Sequence, residues 1–234
     1  MTTEEIDLPD RPGGAAPHVV VQSVEDPRLE DEDRHHLTNV RRLRDGDLVS
    51  VTDGAGSWRW CRFAGSSITI AGATHTVAQP APTLTVGFAL VKGSKPELVV
   101  QKLTELGIDV IVPFVAERSV VRWDDAKIGR QSERLTRVAR EASMQSRRMW
   151  LPRVERVATF GELIQRDGVV RAERDGEPLQ SQHVTVLIGP EGGWSESEAG
   201  ATPIVGLGST VLRAETAAIA AGTLMVSVRD RSTS

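Results

Sequence analysis

Near the end of the 234-residue chain, Arg213 and Glu215 stand two residues apart in GLGSTVLRAETAAIAA, and Glu191 sits in GPEGGWSESE. A Leu-Arg-Ala-Glu-Thr-Ala string has no evident packing logic. At a predicted helix start, a buried arginine has reason to sit only if it is paired. Glu215 is placed to hold that arginine or to take a proton, and Glu191 is the second possible base. Each carboxylate belongs to a glycine turn: Glu191 lies within the one through Gly189, Gly192 and Gly193, and Glu215 follows the one at Gly206 and Gly208. The turns fall where two short apolar runs end, Val184 to Ile188 and Ile204 to Leu207, read as neighbouring strands. In open α/β sheets that edge collects backbone N–H groups and helix N-termini, and ligands bind there. The plain alternative is a tight strand-to-helix connection, with glycine supplying positive φ and proline fixing the corner.

Positioning these groups requires an α/β scaffold. Ser195 with Glu198 is a capping box that starts a helix after the first turn, and an apolar, Ala-rich helix begins near Ala214. Upstream, LTVGFALV reads as a buried strand ended by Lys92-Gly93. Ser94 and Glu97 form a second capping box, Leu98, Val99, Leu103 and Leu106 share a helical face, Gly107 closes that helix, and IDVIVPFV is the next strand. Strand, helix, strand within about thirty residues is a βαβ unit and implies a parallel sheet. A long helix follows, with Leu135, Val138, Ala139 and Ala142 inward and Arg134, Arg137, Arg140 and Glu141 on it. A third capping box stands at Thr159 and Glu162, and RDGEPLQSQ reads as a loop.

The first third has a different pattern. HVVVQSV, DLVSVTDG, WRWCRFAG and SSITIAG are short strand-like runs bounded by turn residues, and their spacing fits a small barrel. One helical segment, DEDRHHLTNVRRLR, interrupts them with Leu37, Val40 and Leu43 inward and acidic residues Glu30 to Asp33 at its N-terminus. Trp58 and Trp60 alternate on a strand and could stack on bases or pack inward. Residues 1–17 are read as a flexible tail, 18–78 as the barrel, 79–83 (QPAPT) as a linker and 84–230 as the α/β domain.

Composition sets limits. The chain is 39% hydrophobic and 26% charged, as expected for a globular protein with a real core. Its single cysteine, Cys61, excludes an internal disulfide and a Cys-cluster metal site, and His35-His36 lacks a third ligand at metal spacing. No apolar run approaches the roughly 20 residues of a membrane span, and MTTEEIDLPD has no apolar core of a signal peptide; a cytoplasmic location is expected. The net charge is −4, yet Arg118 to Arg153 holds ten Lys/Arg against four Asp/Glu. Phosphate contacts need a local basic surface rather than a basic total. A solvated helix face is the alternative.

GPEGGWSESE followed by GLGSTVLRAETAAIAA resembles the bacterial 16S rRNA uracil-N3 methyltransferases of the SPOUT class. So do RHHLTNVRRLRDGDLVSVTDGAG, KGSKPELVVQKLTELGIDVIVPFVAERSVVRW and EASMQSRRMWLPRV. The resemblance implies an α/β SPOUT domain with a parallel sheet and a trefoil knot, behind an N-terminal PUA-like β-barrel that binds RNA. It implies S-adenosyl-L-methionine as cofactor, 16S rRNA or the small ribosomal subunit as partner, a homodimer, and no metal. The cofactor would lie against Leu187, Ile188, Gly189, Gly192, Gly193, Leu207, Gly208, Val211, Leu212, Thr216 and Ala217. Arg213 would orient the flipped uracil or its phosphate, and Glu215 or Glu191 would handle its N3 proton. RNA contacts fall on Arg41, Arg42, Arg44, Lys92, Lys102, Arg118, Gln145 and Arg148. Relatives commonly carry Glu where this chain has Met144, and an Arg-aromatic cluster near the start that this chain lacks. Two other activities fit the class: ribose 2′-O-methylation, and RNA binding without catalysis.

Overall fold

The computed structural model describes residues 8–90, 95–121 and 123–232. The chain divides into two compact units, Met1–Gln79 with Ser143–Leu151, and Pro80–Ala142 with Pro152–Ser234. The contiguous division expected at 79–83 did not assign Ser143–Leu151 to the first unit.

In the first unit, β1 (His18–Val20), β2 (Leu48–Thr52), β3 (Ser57–Ala64) and β4 (Ser67–Thr76) form one sheet in that order. β1 pairs parallel to β2 and the other pairs are antiparallel. Val19, Leu37, Val49, Val51, Cys61 and Phe63 make its core, because the strands present β-branched and aromatic residues to a covered face. Burial pushes the Cys61 thiol up to about 11. The helical segment is one turn, α1 (Asp31–His35), running on into a π-helical turn, His36–Val40. That wider winding rotates the register, so Leu37 is buried while Val40, expected inward, is 62% exposed. Trp58 and Trp60 are both buried, and neither is free to stack on a base. Residues i and i+2 of a strand share a face, and here that face is covered. Trp58 stacks on His75, and Trp60 Nε1 donates to the Pro9 carbonyl at 2.7 Å.

The second unit is a seven-stranded parallel sheet. β5 (Thr85–Ala89), β6 (Val110–Val115), β7 (Arg153–Val154), β8 (Ala158–Thr159), β9 (Val169–Pro178), β10 (Thr185–Ile188) and β11 (Ile204–Gly206) run in the order β11-β9-β10-β5-β6-β7, with β8 also on β6. β5 and β10 are buried along their whole length, as expected of central parallel strands covered on both faces. The helices are α2 (Lys95–Leu106), α3 (Asp125–Ser146), α4 (Phe160–Leu163), α5 (Glu196–Ala199) and α6 (Ala214–Ser232). Gly107 ends α2 at φ +100°. Leu135, Ala139 and Ala142 are the buried stripe of α3, and Arg134 pairs with Glu97 at 2.9 Å. Small residues let α6 lie close to α2: a Cβ on Gly222 would stand 2.7 Å from Leu103. The far end of α6 is fixed by a buried pair, Arg229 Nη1 to Asp109 Oδ2 at 2.6 Å, and the Leu84 amide donates to the same oxygen.

β10 and β11, which carry the glycine turns, are not neighbours as expected: β9 lies between them. Nor is RDGEPLQSQ wholly a loop, since 174–178 belong to β9. Ile204 pairs with Arg171 but Val205 with Glu177, so residues 172–176 bulge out against a single step of β11.

Candidate active site

β10 ends at Ile188 and the chain turns through Gly189-Pro190-Glu191-Gly192-Gly193, closed by the Gly193 amide donating to the Pro190 carbonyl at 2.9 Å. Gly193 has φ +70°, which a side chain would strain. A Cβ on Gly189 would stand 2.8 Å from the Trp194 ring. That ring stacks on Phe114 and lies under the Arg171 guanidinium, which holds the turn against the sheet. Ser195 and Glu198 form the expected capping box on α5. Glu198 is buried and also accepts from the Glu117 amide at 2.8 Å.

The second turn leaves β11 and runs through Leu207 and Gly208 to Arg213, whose carbonyl accepts from the Ala217 amide in the first turn of α6. The β9 bulge brings Ala172, Glu173 and Arg174 to face both turns. Together the three segments enclose a cavity of about 510 Å³, inside the range of small-molecule sites. Of the residues proposed to hold a nucleoside, Ile188, Gly189, Gly193, Leu207, Gly208, Val211, Leu212 and Ala217 line it, as do Glu191 and Arg213. Leu187, Gly192, Thr216 and Glu215 are not on its wall. Leu187 is fully buried, its side chain turned toward Gly87. Gly192 lies against the backbone of Arg118, and Thr216 is exposed.

Arg213 is exposed rather than buried, and among the described residues Glu215 pairs with Lys95 instead of with it. Arg213 immediately precedes α6, whose first residue is Ala214, and is exposed there. Lys95, in the first turn of α2, stands 2.8 Å from Glu191 and 3.4 Å from Glu215. A hydrogen bond from its own backbone amide, then Lys95, hold the Glu215 carboxyl below its ordinary range, against burial. The Glu191 contact does most to raise the Lys95 ammonium. The sequence reading missed Lys95, Trp194 and the β9 wall. Lys95 was visible only as part of a helix cap, and nothing local marks the other two as site residues.

The proposed RNA contacts divide between the units. In the first, Arg41 donates to the Ala15 carbonyl at 2.8 Å, Arg42 is exposed at φ +53°, and Arg44 and Gln145 are exposed. Arg148 is half-buried, and its carbonyl lies 3.4 Å from the His18 ring. In the second, Lys102 pairs with Glu105 at 2.7 Å and Arg118 is exposed. Lys92 and Ser94 lie outside the described residues. Among the described residues there is no cluster of three metal-ligating side chains, and no helix is long and apolar enough to cross a membrane.

Residues 79–226 match the family described as RNA methyltransferase domain, and residues 29–67 match the RNA methyltransferase PUA domain. The ribosomal RNA small subunit methyltransferase E of Bacillus subtilis is 34% identical, over 80% of this chain and 84% of that protein. A Legionella pneumophila protein ascribed methyltransferase activity and solved with bound SAM superimposes with TM-score 0.76 at 25% identity, covering 93% of this chain and 98% of that one. The Neisseria gonorrhoeae ribosomal RNA small subunit methyltransferase E, solved with S-adenosyl methionine, shares the fold. Its TM-score is 0.76 at 22% identity, over 91% of this chain and 98% of that one.

Proposed function

The chain belongs to the RNA methyltransferase family of the ribosomal RNA small subunit methyltransferase E proteins, and from that premise we propose that it methylates N3 of a uridine in 16S rRNA with S-adenosylmethionine as donor. The observation that carries this reading is the cavity between the two glycine turns and the β9 bulge, with Glu191 and Arg213 on its wall. Its chemistry fits a sulfonium nucleoside. Apolar Ile188, Leu207, Val211 and Leu212 can cover an adenine ring, and side-chain-free Gly189, Gly193 and Gly208 let backbone groups approach it. When bound, the cofactor supplies a methyl group already activated by positive charge.

This chain's residues then have two tasks. The first is to hold the uracil in line with that methyl group, which converts a bimolecular encounter into an oriented one. Arg213, exposed at the N-terminus of α6, can engage the uracil or its phosphate. The second is to take the N3 proton, since only the deprotonated nitrogen is a good nucleophile. Glu191 and Glu215 are the acceptors within reach of the same lysine. Access to N3 also needs the uridine unstacked. Arg41, Arg42, Arg44, Gln145 and Arg148 on the PUA-like unit, and Lys92, Lys102 and Arg118 on the catalytic unit, are proposed to engage the RNA.

A trefoil knot, a homodimer and a cytoplasmic location complete the proposal. The close approach of β9 and β11 at Gly176 and Gly206, where a Cβ would meet backbone at 2.3 and 2.6 Å, suits a tightly threaded path. Val211, 81% exposed beside the cavity, supports a partner surface. Mass spectrometry of small-subunit rRNA nucleosides from a deletion strain tests the activity. Loss of 3-methyluridine at one site, restored by the gene, is the expected result. Unchanged 3-methyluridine with a missing ribose methyl would overturn it.

A further inference from the structure

We propose that Lys95 is a positioning residue for methyl transfer: its ammonium, anchored by Glu215, holds the Glu191 carboxylate on the cavity wall as acceptor of the substrate proton. This deepens the methyltransferase reading and rests on it. Three observations carry it. First, the two carboxylates are not equivalent. Glu191 lines the cavity and its side chain is 49% exposed, whereas Glu215 is off the wall and 14% exposed. A group that must touch substrate belongs on the wall. Second, Glu215 suits an anchor. In the first turn of α6 its charge is favoured by the helix N-terminus, and it accepts a hydrogen bond from its own amide. Its Oε2 is buried, 3.4 Å from Lys95 Nζ, and has no hydrogen-bond partner among the described residues. Third, Lys95 sits where a cation is disfavoured, in the first turn of α2, so its place there calls for compensation from outside the helix. Glu191 on the loop after β10 and Glu215 on α6 supply it. Among the described residues, the other charged groups at this site are Arg213, which acts on Glu215, and Glu173 and Arg174, which line the same cavity from β9; Glu97, in the same turn as Lys95, is engaged by Arg134.

The step balances. The N3–H bond breaks toward Glu191, the N3 electron pair bonds the methyl carbon, and the carbon–sulfur pair stays on sulfur, leaving a neutral thioether. Without Lys95, a half-exposed carboxylate on a glycine-rich loop samples many rotamers, and few of them face the substrate proton.

The test is the single-turnover rate of N3 methylation for wild type, Lys95→Met, Lys95→Arg, Glu215→Gln and the double variant, with RNA KM from steady-state rates and cofactor affinity by calorimetry. Lys95→Met is expected to slow transfer by about tenfold at neutral pH. RNA KM and cofactor Kd should stay within about threefold. Lys95→Arg should return the rate toward wild type. The double variant should be no slower than Lys95→Met, since both substitutions break one linkage. A transfer rate unchanged in Lys95→Met, or a double variant equal to the product of the singles, overturns the proposal. Lys95→Gln replaces the Met variant if that melts early, with the same outcomes. A wild-type protein that makes no 3-methyluridine sinks the methyltransferase reading itself; one that does, beside an unchanged rate in Lys95→Met, sinks only the role of Lys95.

Discussion

A carboxylate beside a lysine stays ionised unless burial outweighs the pairing, and Glu215 shows the balance: its amide and Lys95 prevail over desolvation. Its folded-state pKa is depressed, so the stability it contributes is present at neutral pH and is lost as pH falls through that lowered value. The same local logic governs Gly189, where the Trp194 ring fills the space a side chain would need. Gly189→Val is therefore expected to weaken cofactor binding by more than about tenfold in calorimetry, because the turn must shift to clear the indole. Asp109→Ala should cost about 3–5 kcal/mol in chemical denaturation, since it removes the buried carboxylate that pairs with the Arg229 guanidinium. Glu191, Glu215 and Arg213 could be picked from the sequence because glycine turns announce where backbone approaches a ligand. Their partners could not. Lys95 lies 96 residues from Glu191 along the chain, and nothing in a string of residues says which cation meets which carboxylate.

Helix starts were the most legible elements, because a cap is settled within four residues. Ser195 with Glu198 and Thr159 with Glu162 are both present as full capping boxes. Ser195→Ala is expected to lower stability by about 1 kcal/mol, read as a shift in the denaturation midpoint. It should also loosen the cofactor turn, since Glu198 ties α5 to the Glu117 amide. The β9 bulge was not legible. It exists because β11 pairs with both ends of β9 and skips its middle, a relation between segments about thirty residues apart. Deleting residues 172–174 should abolish cofactor binding by calorimetry, because those residues form the third wall of the cavity. The π-helical turn at His36–Val40 was equally hidden, and a 3.6-residue period misassigned Val40 because of it.

Each of the two units has its own core, and the first carries a buried histidine that links its stability to pH. Burial lowers the His18 pKa to about 4, aided by the Arg147 charge and opposed by the Arg148 carbonyl; Ser50 bonds its other nitrogen. Unfolded, the ring takes up its proton near 6.5, so this stability is complete above that pH and declines as pH falls from about 6.5 to about 4. Scanning calorimetry between pH 7 and pH 4 should show the first unit losing about 3 kcal/mol, and His18→Gln should flatten that dependence. What the sequence alone determined was local: the class of each element, the capped helix starts, the βαβ unit, and the glycine turns that announce a backbone-lined ligand site. Such features depend on side-chain volume, backbone freedom and hydrogen bonds spanning a few residues. Only the tertiary structure decided that β9 comes between the two turns, that both tryptophans are covered, that Arg213 faces outward and that Lys95 joins two carboxylates. Those facts depend on which distant segments pair, and pairing across a sheet is set by the summed burial and hydrogen bonding of the whole unit.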